Sequence, residues 1–197
     1  MRAMRAMLGA VLALGLGGTP AAAGQAPHGA WLEAPLSNWN TLGMALPFAS
    51  AQAPQNPRCL GSVRPPETPV DHQLVERGWL LFGAYQAGWG INVVHAASGM
   101  DGMCRPMQYN VFVFRQGQFI GTLSPELMDS RTTGQEAGTT LLGREGEGGI
   151  ILITARFLRY APDDPLCCPS LPAVTVTYEV QPMPDGWVLA PTTREPA

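Results

Sequence analysis

"AVTVTYEV" (173–180) alternates strictly: Val174, Val176, Tyr178 and Val180 share one side, Thr175, Thr177 and Glu179 the other. Successive side chains of a strand point to opposite faces, so this is a strand with one dry and one wet face. A wet face argues for antiparallel pairing, because parallel sheets are covered on both sides. The same reading extends outward to "WLLFGAY" (79–85), "INVVHAA" (91–97), "YNVFVFR" (109–115), "QFIGTL" (118–123), "IILITARFLRY" (150–160) and "GWVLA" (186–190). These runs are rich in β-branched and aromatic residues and are bounded by turn signals. "RQGQ" predicts a tight hairpin with Gly117 at positive φ, and "MPDG" before Trp187 predicts another turn.

Between these strands, "GAYQAGWG" (83–90) reads as a loop, and the polar, Gly-rich "SRTTGQEAGTTLLGREGEGG" (130–149) as a mobile surface connection. Upstream, residues 69–78 predict a short helix, with Thr68 as N-cap, Pro69 in the first helical position and Glu76-Arg77 before Gly78. The proline-dense "APQNPRCLGSVRPPETP" and the irregular "HGAWLEAPLSNWNTLGMALPFAS" predict an extended arm, with Trp31, Trp39 and Phe48 as anchors to the body. The expected fold is therefore mainly β (α+β). It is a single antiparallel β-rich domain with one short helix over 69–197 and an N-terminal arm over 24–68.

Residues 1–23 have the layout of a signal peptide. Arg2 and Arg5 precede an apolar run of 11 residues, Leu8–Gly18, and Pro20-Ala21-Ala22-Ala23 supplies a small-residue cleavage site. That run is too short to span roughly 30 Å of hydrocarbon. Cleavage after Ala23 leaves 174 of the 197 residues, ample for one domain, and moves the formal charge from −3 to −5. The first cysteine is Cys59, so no lipid-accepting cysteine follows the leader. The expected location is secreted or periplasmic, without a transmembrane or lipid anchor. A mildly acidic chain without basic clusters offers no footprint for nucleic acid.

Chemistry is sparse. His28, His72 and His95 lie in the arm, at the helix and in a strand, without metal-ligand spacing. Asp101, Asp163 and Asp164 sit in turn sequences lacking the alternation of a calcium loop. Serine-elbow and phosphate-loop patterns are absent. A thiol pairing of Cys104 or Cys167 with His95 as base can be drawn. An exported chain with four cysteines, Cys59, Cys104, Cys167 and Cys168, more often bridges them. Four cysteines allow three connectivities. Adjacent Cα atoms lie about 3.8 Å apart, short of the usual bridge span, so a Cys167–Cys168 bridge would fix a sharp turn between Pro165 and Pro169. The crossed alternatives would staple the arm to the sheet, and geometry alone leaves all three open.

"DGMCRPMQYNVFVFRQGQFIGTLSP" (101–125), "LMDSRTTG" (127–134) and "RYAPDDPLCCPSLPAVTVTY" (159–178) together resemble the LppP/LprE lipoprotein family of exported bacterial proteins. The matching positions are Cys104, Phe114, Gly117, Phe119, Gly121 and Thr122 in the hairpin block, and Cys167, Cys168, Pro169 and Ser170 in the later one. The resemblance implies an extracytoplasmic β-rich domain with no established reaction, no catalytic residues and no cofactor. It further implies Cys167–Cys168 as a unit, leaving Cys59–Cys104 as the second bridge. The chain departs from the family in lacking the acylated cysteine. The function expected is that of a non-catalytic envelope protein binding an unidentified partner or small ligand. The thiol or hydrolytic enzyme using Cys104 or Cys167 with His95 is the alternative.

Overall fold

A computed structural model describes residues 27–50, 57–143 and 149–197. The leader reading at 1–23 lies outside these residues. Short 3-10 turns at Ala30–Leu32 and Pro57–Ser62 precede the helix α1 (Pro69–Glu76). Eight strands follow: β1 (Leu80–Gly88), β2 (Ile91–Met100), β3 (Pro106–Arg115), β4 (Gln118–Thr122), β5 (Glu136–Gly143), β6 (Ile151–Arg159), β7 (Leu171–Met183) and β8 (Gly186–Pro196). They form two antiparallel meanders, β1-β2-β3-β4 and β5-β6-β7-β8. The architecture is mainly β, as the alternation predicts.

The inner faces of the two sheets share one core. Val93, Val111, Val113 and Ile120 from the first sheet meet Ile153, Phe157, Val176 and Tyr178 from the second. In β7 the wet face stays wet: Thr175, Thr177 and Glu179 remain half-exposed. The first sheet is covered on its other face as well, where Val94, Phe112, Phe114 and Phe119 pack beneath Val70 and Leu74 of α1 and beside Trp79. Double coverage explains why "VFVF" in β3 is apolar at consecutive positions rather than alternating.

α1 forms because its start is capped from both directions. The Thr68 side chain accepts from the Asp71 N–H, and Asp71 accepts from the Thr68 N–H, a reciprocal box with Pro69 at the first turn. Asp71 is fully buried and also takes a two-pronged hydrogen bond from Arg64, at 2.9 and 2.5 Å. Burial alone would raise this carboxyl. The Arg64 hydrogen bonds, with the Glu67 and Thr68 N–H groups, instead hold it at about 2.

Two segments depart from the sequence expectation. Residues 83–90 are strand up to Gly88, with a register shift between Phe82 and Gln86, and only Trp89-Gly90 turns. Residues 136–143, expected in a mobile connection, form the edge strand β5. β5 alternates weakly and carries Gly138, so its pairing with β6 is set by tertiary contacts that local pattern does not contain.

Side-chain amides join the edges of the two sheets. On one side Gln86 donates to the Thr139 carbonyl at 2.7 Å and accepts from the Leu141 N–H at 3.1 Å, tying β1 to β5. On the other, buried Asn40 donates to Thr122 O at 3.1 Å and Leu189 O at 3.0 Å, tying β4 to β8. Its Oδ1 accepts from the Thr122 N–H at 2.9 Å. Gly121, at φ 149°, makes the room: a Cβ there would come within 2.7 Å of Asn40 Nδ2. The segment carrying Asn40 is anchored by Trp31 against Phe157 and by Trp39 against Tyr178, both edge-to-face. Phe48, the third expected anchor, is mostly exposed, and the Arg77 guanidinium stacks on it at 4.3 Å.

Asp71 yields a pH prediction. Its carboxyl is depressed in the fold from 3.8 to about 2. The stabilisation it brings is complete above the unfolded value and is lost as pH falls from about 4 towards 2. Asp71→Asn should be less stable than wild type at pH 7, and that gap should shrink by about 2 kcal/mol on acidification to pH 2. Urea unfolding at both pH values measures it; a gap independent of pH would contradict the assignment.

Candidate functional site

β1, β3, β5 and β6 each end or begin at one end of the sandwich, and three loops gather there. They are the β2–β3 turn (101–105), the β4–β5 connection (123–135) and the β6–β7 loop (160–170). Between them lies a cleft of about 530 Å³, walled by Phe82, Tyr109, Leu158, Tyr160, Leu166 and Pro169. Its polar groups include Arg105, Arg131, Gln135 and Glu136.

Both disulfides serve loops at this end. Cys59 is bonded to Cys104, beside Arg105, and Cys167 is bonded to Cys168, with Cys167 itself on the cleft wall. The bridges are those implied by the family resemblance. No described cysteine is free, so neither Cys104 nor Cys167 offers the thiolate that a nucleophile requires. The turns themselves are built by aspartates. Asp101 Oδ1 accepts from the N–H groups of Met103 and Arg105, and Asp164 Oδ2 from those of Ala161 and Ser170. Asp101 also pairs with the Arg105 guanidinium.

Glu136 opens β5 at the floor of the cleft. Burial would raise its carboxyl, but three partners hold it below the ordinary value: His95 Nε2 at 3.3 Å, the Thr139 hydroxyl at 2.8 Å and the Gly138 N–H at 2.7 Å. His95 reaches it from the inner face of β2, opposite Val111 of β3. The Tyr109 hydroxyl accepts from the Glu136 N–H at 2.9 Å, and burial, then the Glu136 charge, push its ionisation upward. Phe82 packs edge-to-face on both His95 and Tyr109. The Glu136 carboxylate is thus engaged on both oxygens, while the buried Nδ1 of His95 has no hydrogen-bond partner. His95 touches the cleft through Glu136, not by lining it.

The remaining sequence-derived positions fall elsewhere. β3 and β4 turn at Gln116-Gly117, both at positive φ (49° and 82°), at the end of the sandwich opposite the cleft. Phe114 and Phe119 are buried beneath α1, and Gly121 and Thr122 receive Asn40. These motif residues build the fold. Of the block 167–170, Cys167 and Pro169 line the cleft and Ser170 closes its loop onto Asp164. Glu136, Tyr109 and Arg131 were not singled out by the sequence. The one local signal was a titratable residue amid the polar run 130–149, which is also what a solvated loop looks like.

Among the described residues no group of His, Cys, Asp and Glu is arranged to hold a metal ion, and no helix is long and apolar enough to cross a membrane. No family model, curated protein or solved structure matches the chain.

The bridges differ in what they constrain. Cys59–Cys104 spans 45 positions of sequence, and Cys167–Cys168 spans one. Loop-closure entropy assigns about 4 kcal/mol to the first and little to the second. Replacing Cys59 and Cys104 by alanine should therefore lower the urea midpoint strongly, and replacing Cys167 and Cys168 only slightly. Equal losses for the two double variants would contradict this ordering.

Proposed function

We propose that the chain is an exported cell-envelope protein of the LppP/LprE type, acting as a non-catalytic domain that binds a small ligand or partner segment in the cleft. The observation that carries this reading is the cleft itself: aromatic walls, a floor whose Glu136 carboxylate is engaged on both oxygens within the protein, and two of three rim loops held by disulfides. Ligand sites are concave, mostly apolar and largely pre-formed, and this one is of the usual size. Both oxygens of Glu136 are engaged within the protein, and His95, whose Nδ1 has no hydrogen-bond partner, does not line the cleft. This favours binding over chemistry, because a general base needs a free lone pair towards substrate. Two bridged cysteine pairs fit an oxidising compartment. The signal-peptide layout of residues 1–23 and the resemblance over 101–178 support the same placement.

The reading predicts that protein recovered from the envelope begins at Gly24 with an unmodified amine. It also predicts that fragments binding this material shift the amide resonances of Phe82, Tyr109, Tyr160 and Leu166. Retention of Met1 would overturn the export reading. Fragment-induced shifts confined to the outer face of β5–β8 would overturn the binding site.

A further inference from the structure

The cleft is lined by charges of both signs, and they differ in how they are partnered. Glu136 is engaged on both carboxylate oxygens, by His95 on one and by Thr139 and Gly138 on the other. Both oxygens are therefore occupied within the protein, although the carboxylate keeps its negative charge. Arg105 is likewise committed to Asp101. Arg131 differs: among the described residues its guanidinium forms no ion pair, and it lines the cleft half-buried. A chain with a formal charge of −3 thus leaves an uncompensated cation facing an aromatic cavity.

The backbone at Arg131 is also unusual. It sits at φ 69°, a left-handed conformation costing a non-glycine residue roughly 1 kcal/mol. The turn is held around it: Ser130 donates to the Pro106 carbonyl, Thr132 to the Asp129 carbonyl, and the Arg131 N–H to the Gln135 side chain. A glycine or asparagine would satisfy that turn with less strain. Strain maintained by surrounding bonds at a cavity wall is a feature of ligand clamps. The backbone is thereby fixed at the rim and carries the Arg131 side chain into the cleft lining.

We infer that the cleft takes a small amphipathic anion, a flat apolar body seated between Phe82 and Tyr160 with a single oxyanion group paired to Arg131. This rests on the reading of the cleft as a binding site and adds the class of ligand. Guanidinium groups match the two oxygens of a carboxylate, sulfonate or phosphate with parallel hydrogen bonds. The three aromatic rings supply planar contact at low entropic cost.

Two dyes that differ in one group provide the test. 8-Anilinonaphthalene-1-sulfonate carries an aromatic body with a sulfonate, and N-phenyl-1-naphthylamine is the same body without it. Fluorescence titration of the folded, oxidised protein should show both binding, with the sulfonate dye tighter. Arg131→Gln should weaken the sulfonate dye by about tenfold, the loss of one charge-assisted pair, and change the neutral dye by less than about twofold. Arg131→Lys should recover part of the difference. Tyr160→Ala should weaken both dyes. Urea midpoints of the variants establish that the fold persists. If Arg131→Gln leaves the sulfonate dye unaffected, or weakens both dyes equally, the anion assignment is wrong although the cleft still binds. If Tyr160→Ala changes neither dye, the cleft is not the binding site, and the functional reading falls with it.

Discussion

A single buried carboxamide, that of Asn40, joins two sheets that share no strand. β1-β2-β3-β4 and β5-β6-β7-β8 are separate meanders, and the described ladders run within each, not between them. Hydrophobic contact can hold two sheets face to face, but it is non-directional and does not fix their relative position along the edges. Asn40 does so by donating to Thr122 in one sheet and Leu189 in the other while accepting from the Thr122 N–H. Gln86 supplies the matching link at the other edge, between β1 and β5. Exposed strand edges are templates for unwanted pairing, and these amides occupy edge groups that backbone partners would otherwise take.

With both edges tied, the ends of the sandwich are left to the loops. At one end the Gln116-Gly117 turn is tight and caps the stack. At the other, long loops diverge and leave the cleft. This division of labour explains why the four cysteines sit where they do: a cavity at a loop-built end has no ladder to hold its rim, and covalent links take over that role. The first bridge restrains the 101–105 turn from outside, through the Pro57–Ser62 segment; the second shapes the rim from within.

Much of the fold was legible because it follows from local alternation. Val174 to Val180 declared a half-wet strand, "RQGQ" a turn, and Thr68-Pro69 a helix start. β5 was not legible: Gln135 to Gly138 read as loop, and its strand character comes from β6 and from Gln86, fifty-odd positions earlier in sequence. Asn40 was invisible for a similar reason. Nothing in "SNWN" marks one asparagine as buried, although Gly121, whose missing Cβ it replaces, was visible as a motif glycine. The candidate site was harder still. Its walls come from β1, β3, β5, β6 and three loops, and only the cysteine-proline block announced itself in sequence. The resemblance-derived pairing of the cysteines agrees with the structure, where spacing alone left three choices.

If the amide joint governs the fold, its removal should be felt at both strands it connects and not merely where the side chain sat. Asn40→Ala deletes three buried hydrogen bonds and leaves their partners unpaired, a loss of about 2–4 kcal/mol. Native-state amide exchange is the most direct measurement. Protection should fall together at Ile120–Thr122 of β4 and at Leu189–Ala190 of β8, while β2 and β6, interior to their sheets, keep theirs. Loss confined to the neighbourhood of residue 40, with β4 and β8 protected as in the wild type, would show that the Asn40 amide does not position the sheets.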